Sequence, residues 1–185
     1  MRNCRVVHYE KNDLGHQLDH ALEVTTTALD MNEVLGLKIS EKMIYAAGLA
    51  HDIMVWKDRK KHHGLGADWV IENRYLKDCF NFYDRYTIAI AVYQHRASVK
   101  LEKFHSDLAE LIASADRPAP IVDVLVKRVF LNNKDKQIAL NHLKEKFGSG
   151  GYVWYPKMYK RYYGLKAIKE LETNIDKLTL KDMEV

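Results

Sequence analysis

Apolar residues recur at three- and four-residue steps along most of this 185-residue chain, and few stretches alternate with period two, so the pattern calls for an all-α fold. Over residues 14–35 the apolar positions Leu14, Leu18, Ala21, Leu22, Leu29 and Val34 form one predicted helix face, with Asn12 or Asp13 placed to cap its start. Ser40 is placed to cap a second helix, in which Met43, Ile44, Ala47 and Ala50 lead to the adjacent pair His51 and Asp52 at its C-terminal end. A basic polar stretch, residues 57–61, precedes a predicted helix over 62–75. Asp84 heads another, which carries Ile88, Ala91 and Val92 and ends near His95. Residues 105–116 read as a further helix, with Leu108, Leu111, Ile112 and Ala115 on one side. Pro118 and Pro120 impose a turn before a helix over 121–131.

Residues 134–147 continue the helical pattern until Gly148 stops it, and Gly148 to Gly151 (GSGG) is the clearest hinge in the chain. Beyond it, YVWYPKMYKRYY (152–163) is dense in aromatic and basic residues, and a helix is predicted to run from there to Asn174. The expected organisation is a helical domain over 1–147, with 148–185 as a hinge and C-terminal helical segment packed on or beside it. Trp154, Tyr155 and Tyr159 fit core packing better than base stacking, because aromatics at helical spacing usually serve burial.

A chain of this length buries a proper core without a metal or a disulfide to hold it. Its formal charge of +4 and pI of about 8.9 suit an anionic substrate without demanding nucleic acid. Cys4 and Cys79 form no Cys-x-x-Cys pattern, which argues against a zinc ribbon or a disulfide framework. The N-terminus has no apolar signal core, and no run of ~18 apolar residues occurs. A cytoplasmic protein with no membrane association is expected.

A His-Asp neighbour pair means little alone: with 9 His and 14 Asp, random order gives ~0.7 of them. The ordered set carries more. His20 precedes the pair by 31 residues and Asp116 follows it by 64, ordinary separations for ligands on different helices of a bundle. Their mixture of imidazole and carboxylate suits a divalent ion, and His62 and His95 lie between as further candidate ligands. Neighbouring side chains on an ideal helix point apart, so joint use of His51 and Asp52 needs a helix end, where the pattern puts them. His63 reads as solvent-facing or as a hydrogen-bond donor behind the ligands, His16 as structural, and Asp58 as a solvated loop charge. His8, His105 and His142 carry no supporting pattern.

In this order, and in the text around them, these residues resemble the HD-domain superfamily of metal-dependent phosphohydrolases, an all-helical group. The matching segments are GHQLDHALEV around His20, AAGLAHDI around His51, HHGLGA from His62 and IASAD before Asp116, together spanning roughly residues 14–120. The resemblance implies a compact helical bundle with one or two divalent ions (Mn, Fe, Mg, Co, Ni or Zn). Asp52 would bridge them as the central catalytic residue, His20, His51 and Asp116 completing one site and His62 and His95 the other. His62, four residues before Gly66 and Ala67, matches the usual position better than His63 does. Arg96 stands where some cyclic-dinucleotide hydrolases of the superfamily carry a second histidine, which counts against that branch. The implied chemistry is hydrolysis of a phosphate ester or anhydride in a small nucleotide by metal-activated water. Lys57, Arg59, Lys60, Arg96 and Arg117 lie close in sequence to the ligands and are the expected phosphate clamps, Arg96 and Arg117 foremost. The alternatives are a metal-dependent nuclease whose basic aromatic tail grips single-stranded nucleic acid, and a di-iron oxygenase on the same scaffold.

Overall fold

A computed structural model describes residues 8–132 and 135–183, so Cys4 and the expected helix start at Lys134 lie outside the described residues. Among them are ten α-helices and no strand: α1 (Leu18–Val34), α2 (Glu41–Gly48), α3 (His62–Glu72), α4 (Arg74–Cys79), α5 (Phe82–Gln94), α6 (Asp107–Ala115), α7 (Val122–Asn132), α8 (Lys136–Phe147), α9 (Lys157–Tyr163) and α10 (Leu165–Lys177). The fold is all-α, as the periodicity requires. No helix among the described residues is long and apolar enough to cross a membrane.

Several boundaries differ from expectation, each for a local reason. Asp13 caps a short 3-10 turn, Leu14–His16, accepting a hydrogen bond from the Gly15 amide, and α1 begins only after it. The buried stripe of α1 is His20, Ala21, Val24, Thr25, Ala28 and Met31. Leu14, Leu22 and Val34, expected on that face, are exposed at 66%, 45% and 64%. His20 therefore sits on the inward stripe itself, at i, i+4 and i+8 with Val24 and Ala28. Asn73, in extended backbone, accepts from the Leu76 amide, so the expected helix over 62–75 ends early and α4 starts afresh. Asn81, not Asp84, caps α5, accepting from the Asp84 amide, while Asp84 lies in the first turn, where a carboxylate favours the helix dipole. Ser106 caps α6 in the same way. Gly164 adopts φ 84°, a region open to glycine and strained for other residues, and it separates α9, a short helix within the aromatic stretch, from α10, which covers the helix expected to reach Asn174 and runs on to Lys177.

The main core is built by α1, α2, α3, α5 and α6, with Val24, Met31, Ile44, Val70, Ile88, Val92, Leu111 and Ile112 among its buried residues. Tyr155, Met158 and Tyr159 join it from the C-terminal region. A second cluster holds Leu125 and Val129 of α7, Leu140, Leu143 and Phe147 at α8, and Leu171 and Ile175 of α10. Full burial of such side chains contributes roughly 1.5–3 kcal/mol each. The Gly148 to Gly151 segment, expected as a hinge, is a bonded turn: the Tyr152 and Val153 amides donate back to the Glu145 and Lys146 carbonyls, and the Ser149 amide faces the Asp176 carboxylate. Residues beyond it thereby complete both cores.

One close approach places the site. A Cβ on Gly48 would lie 3.1 Å from Cα of Thr25 and closer still to its hydroxyl, so α1 and α2 cross at a separation only glycine allows. Two neighbours of that crossing, His20 on α1 and His51 just beyond α2, are thus brought together.

Candidate metal centre

His20, His51, Asp52, His62 and His95 are buried and converge from α1, the turn after α2, the start of α3 and the end of α5, with Asp116 joining from the end of α6. All six expected ligands meet in one place. Asp52 is at the centre. Its Oδ2 lies 3.2 Å from Nε2 of His51 and 3.7 Å from that of His20, while its Oδ1 lies 3.2 Å from Nε2 of His62 and 3.4 Å from that of His95. Asp116 Oδ1 is 3.2 Å from His20 and 3.8 Å from His51. Two groups that could hold a metal ion result, His20 with His51 and Asp52, and Asp52 with His62 and His95; they share Asp52.

The backbone sets which nitrogen each ring presents. Nδ1 of His51 lies 2.7 Å from the Gly48 carbonyl, Nδ1 of His62 lies 2.7 Å from that of Arg59, and Nδ1 of His95 lies 2.6 Å from that of Val92. A carbonyl can only accept, so in each case Nδ1 carries the proton and donates, and Nε2 of the neutral ring turns a lone pair toward Asp52. Metal-binding histidines are commonly oriented this way. Two further observations test the fit. Nε2 of His51 is buried with no hydrogen-bond partner among the described residues, and Nε2 of His62 faces Nε2 of His95 at 3.1 Å, lone pair against lone pair. A cation between them resolves both. Donors each about 2.1 Å from one ion stand about 3.0–3.4 Å apart at octahedral or tetrahedral angles, close to these separations.

Without a metal ion, protons must balance the buried carboxylates. Burial works to lower the pKa of His51, but the Asp52 carboxylate outweighs it and the ring is raised to about 9. Burial likewise opposes the protonated form of His20, and its contact with Asp116 prevails, raising it. Burial would raise Asp52, yet His51, and after it the close rings of His62 and His95, hold it well below the usual carboxylate range. His95 is lowered, burial dominating.

Supporting contacts extend outward. The buried Asn12 donates to the carbonyls of Asp52 (3.1 Å) and His16 (2.6 Å), and accepts from the Trp56 amide at 2.8 Å, pinning the turn that carries the ligand pair. Arg117 is 2% exposed, and its Nη1 donates to the carbonyls of His95 (2.5 Å) and Ala113 (2.6 Å), tying the ends of α5 and α6 together.

Beside Asp116 opens a cavity of about 540 Å³ between the two cores, and its lining includes Arg59, Arg117, Arg128 and Lys146. The expected clamps are thus redistributed. Arg59 reaches the cavity, bonded to Asp13 at 2.6 Å. Lys57 and Lys60 are exposed, and neither they nor Arg96 are among the described lining residues. The Arg96 side chain turns to the Lys60 carbonyl at 2.8 Å, away from the ligand it follows in sequence. Arg117 lines the cavity but spends two guanidinium nitrogens, Nη1 and Nε, on backbone carbonyls.

Arg128 and Lys146 were not anticipated. Nη2 of Arg128 is 3.2 Å from both ring nitrogens of His20; an in-plane approach would collide with Cε1, so the guanidinium lies against the ring face. A signal for both existed: Arg128 follows the buried Leu125 by three residues and Lys146 follows the buried Leu143 by three, so each charge sits on a core-facing stripe. His63 is half-buried against Tyr93, beside rather than within the cluster. Compared with family models, with curated proteins and with solved structures, the chain matches none of them.

Proposed function

We propose that this protein is a metal-dependent phosphohydrolase of the HD type, hydrolysing a phosphate ester or anhydride of a small nucleotide. The observation that carries it is Asp52, whose two oxygens divide between two sets of histidines with backbone-fixed Nε2 atoms. The order of the ligands, with the segments around them, adds the resemblance to the superfamily. The cationic cavity beside Asp116 adds a place for an anionic substrate.

Divalent ions, when bound, lower the pKa of a water ligand and neutralise charge on phosphoryl oxygens. The protein's own residues do the rest. Asp52 and Asp116 supply the negative charge that retains cations, and the carbonyls of Gly48, Arg59 and Val92 hold three imidazoles in the ligating tautomer. Arg117 fixes His95 relative to Asp116 by joining the ends of their helices. The cavity's arginines and Lys146 bind and orient the phosphate. No serine or cysteine nucleophile is needed; Cys79 is exposed and free.

A nuclease gripping a strand with residues 152–163 draws little support, because Tyr155 and Tyr159 lie in the core, stacked at 4.8 Å, and the Tyr159 hydroxyl donates to the Pro118 carbonyl. The test is a panel of nucleoside mono- and triphosphates and dinucleoside polyphosphates with Mn, Mg, Co or Fe, scored by phosphate, pyrophosphate or triphosphate release. Metal-dependent release that Asp52→Ala abolishes is expected. No release with any metal would overturn the proposal, and oxygen uptake by the iron form in its place would favour the oxygenase alternative.

A further inference from the structure

We infer that the cavity beside Asp116 is a phosphoanhydride subsite, in which Arg128 and Lys146 grip the phosphates of a di- or triphosphate chain beyond the one held at the histidine and aspartate cluster. This rests on the phosphohydrolase proposal for the cluster and adds the substrate class.

Charge is the first support. The described lining residues include four basic side chains, Arg59, Arg117, Arg128 and Lys146, against two carboxylates, Asp13 and Asp116. Asp13 bonds Arg59, and Asp116, a member of the ligand cluster, also lies 4.0 Å from Nη1 of Arg117. The basic side chains of the lining still outnumber its carboxylates. Confining like charges in a partly buried space opposes folding, and a bound anion discharges them.

Placement is the second. Arg128 lies against the face of His20, between a cluster ligand and the cavity, and so reaches a substrate that touches both. Lys146 comes from the end of α8, and its ammonium is depressed first by burial; the Asp116 carboxylate opposes this, and Arg128, Arg117 and Arg59 add to it, so these charges converge beside Asp116. Arg117 lines the same space, and its Nη2 has no hydrogen-bond partner among the described residues.

Size and chemistry decide between substrates. A monophosphate puts its one anionic group at the cluster and turns neutral sugar and base toward these cations. A di- or triphosphate presents its remaining charged groups to them. Leu125, Val129 and Phe147 give the cavity an apolar wall, and about 540 Å³ is room for more than a bare phosphate. The chain could come from a nucleoside polyphosphate or from inorganic polyphosphate.

The test is calorimetric binding to the chelator-treated full-length protein of orthophosphate, pyrophosphate, inorganic tripolyphosphate, and a nucleoside mono- and triphosphate. Tripolyphosphate is expected to bind about tenfold or more tighter than orthophosphate. Lys146→Gln should weaken tripolyphosphate by about tenfold, whereas Lys146→Arg retains binding and the surface control Lys166→Gln leaves it unchanged. Arg128→Lys gives a second variant should Lys146→Gln melt early. A nucleoside triphosphate tighter than tripolyphosphate identifies a nucleotide as the source; equal affinity identifies the chain alone. Tripolyphosphate no tighter than orthophosphate, or wild-type affinity in both Lys146→Gln and Arg128→Lys, overturns the inference. Because no metal is present, these results stand apart from the hydrolase proposal. A protein that binds tripolyphosphate but retains no metal loses the hydrolase and keeps the subsite, and one that hydrolyses only monophosphates without this selectivity does the reverse.

Discussion

Replacing Asp52 with alanine should change the pH dependence of stability in the metal-free protein, and the size of the change follows from the contact with His51. Burial alone disfavours the imidazolium, yet the carboxylate 3.2 Å away holds His51 at about 9 against an ordinary 6.5. That difference of about 2.5 in pKa corresponds to roughly 3 kcal/mol at 1.36 kcal/mol per unit. Because the folded value is raised, this stabilisation is fully present below pH 6.5 and is lost as pH climbs through about 9. Asp52 is depressed, so its own contribution is present above about 3.8 and is lost on acidification. In Asp52→Ala, burial faces only Asp116 at 3.8 Å and the Gly48 carbonyl among the groups that favour the imidazolium of His51. Its titration midpoint should fall by at least about one unit, and the loss of stability between about pH 6.5 and about pH 9 should flatten. Urea unfolding in chelator, followed by far-ultraviolet circular dichroism at several pH values, reads the slope; proton NMR of the histidine rings reads the midpoint. An equally steep fall in the variant, with an unmoved midpoint, would refute the coupling of His51 to Asp52.

Removing the buried hydrogen bonds of Asn12 in Asn12→Ala should cost about 2–3 kcal/mol and loosen the turn carrying His51 and Asp52, seen as a lower Tm together with weaker metal retention. A variant that melts lower but retains metal like wild type would limit Asn12 to general stability. Gly48→Ala forces a methyl onto Thr25 and should destabilise by about 1–3 kcal/mol in urea titrations; an unchanged midpoint would mean that α1 and α2 are not as close as described. Arg117→Met strands the carbonyls of His95 and Ala113, so a loss of about 3 kcal/mol is expected, and Arg117→Lys should not restore it, since an ammonium cannot reproduce the guanidinium fork. Wild-type stability in both would contradict the tie between the ends of α5 and α6 through Arg117.

The clustered residues were legible because metal-binding chemistry uses few residue types, and His20, His51, Asp52, His62, His95 and Asp116 all fall at helix ends or on an inward stripe. The helices were legible from apolar spacing, though less sharply where local hydrogen bonding decides. Asn81 and Asp84 are both good caps, and only the extended backbone of Asn81 selects it. The basic residues that line the cavity were the least legible. Nearness in sequence favoured Arg96 and Arg117, but one turns to the Lys60 carbonyl and the other is buried in backbone contacts. Arg128 and Lys146 lie 12 and 30 residues beyond Asp116 and reach the cavity only because α7 and α8 pack against each other through the second core. Their places on core-facing stripes were visible, while the neighbours they would meet were not. The helical spacing of the tail's aromatics pointed to core packing, while its register with the main core, through Tyr155, Met158 and Tyr159, emerges only from the packed structure.

The most direct test of the shared Asp52 is the metal-to-protein ratio of Mn-loaded, desalted protein measured by plasma mass spectrometry. About two ions per chain are expected for wild type and for His63→Ala, about one for His62→Ala, and close to none for Asp52→Ala, each variant retaining its helical circular dichroism. Asp52→Ala protein that keeps the wild-type ratio would contradict the account.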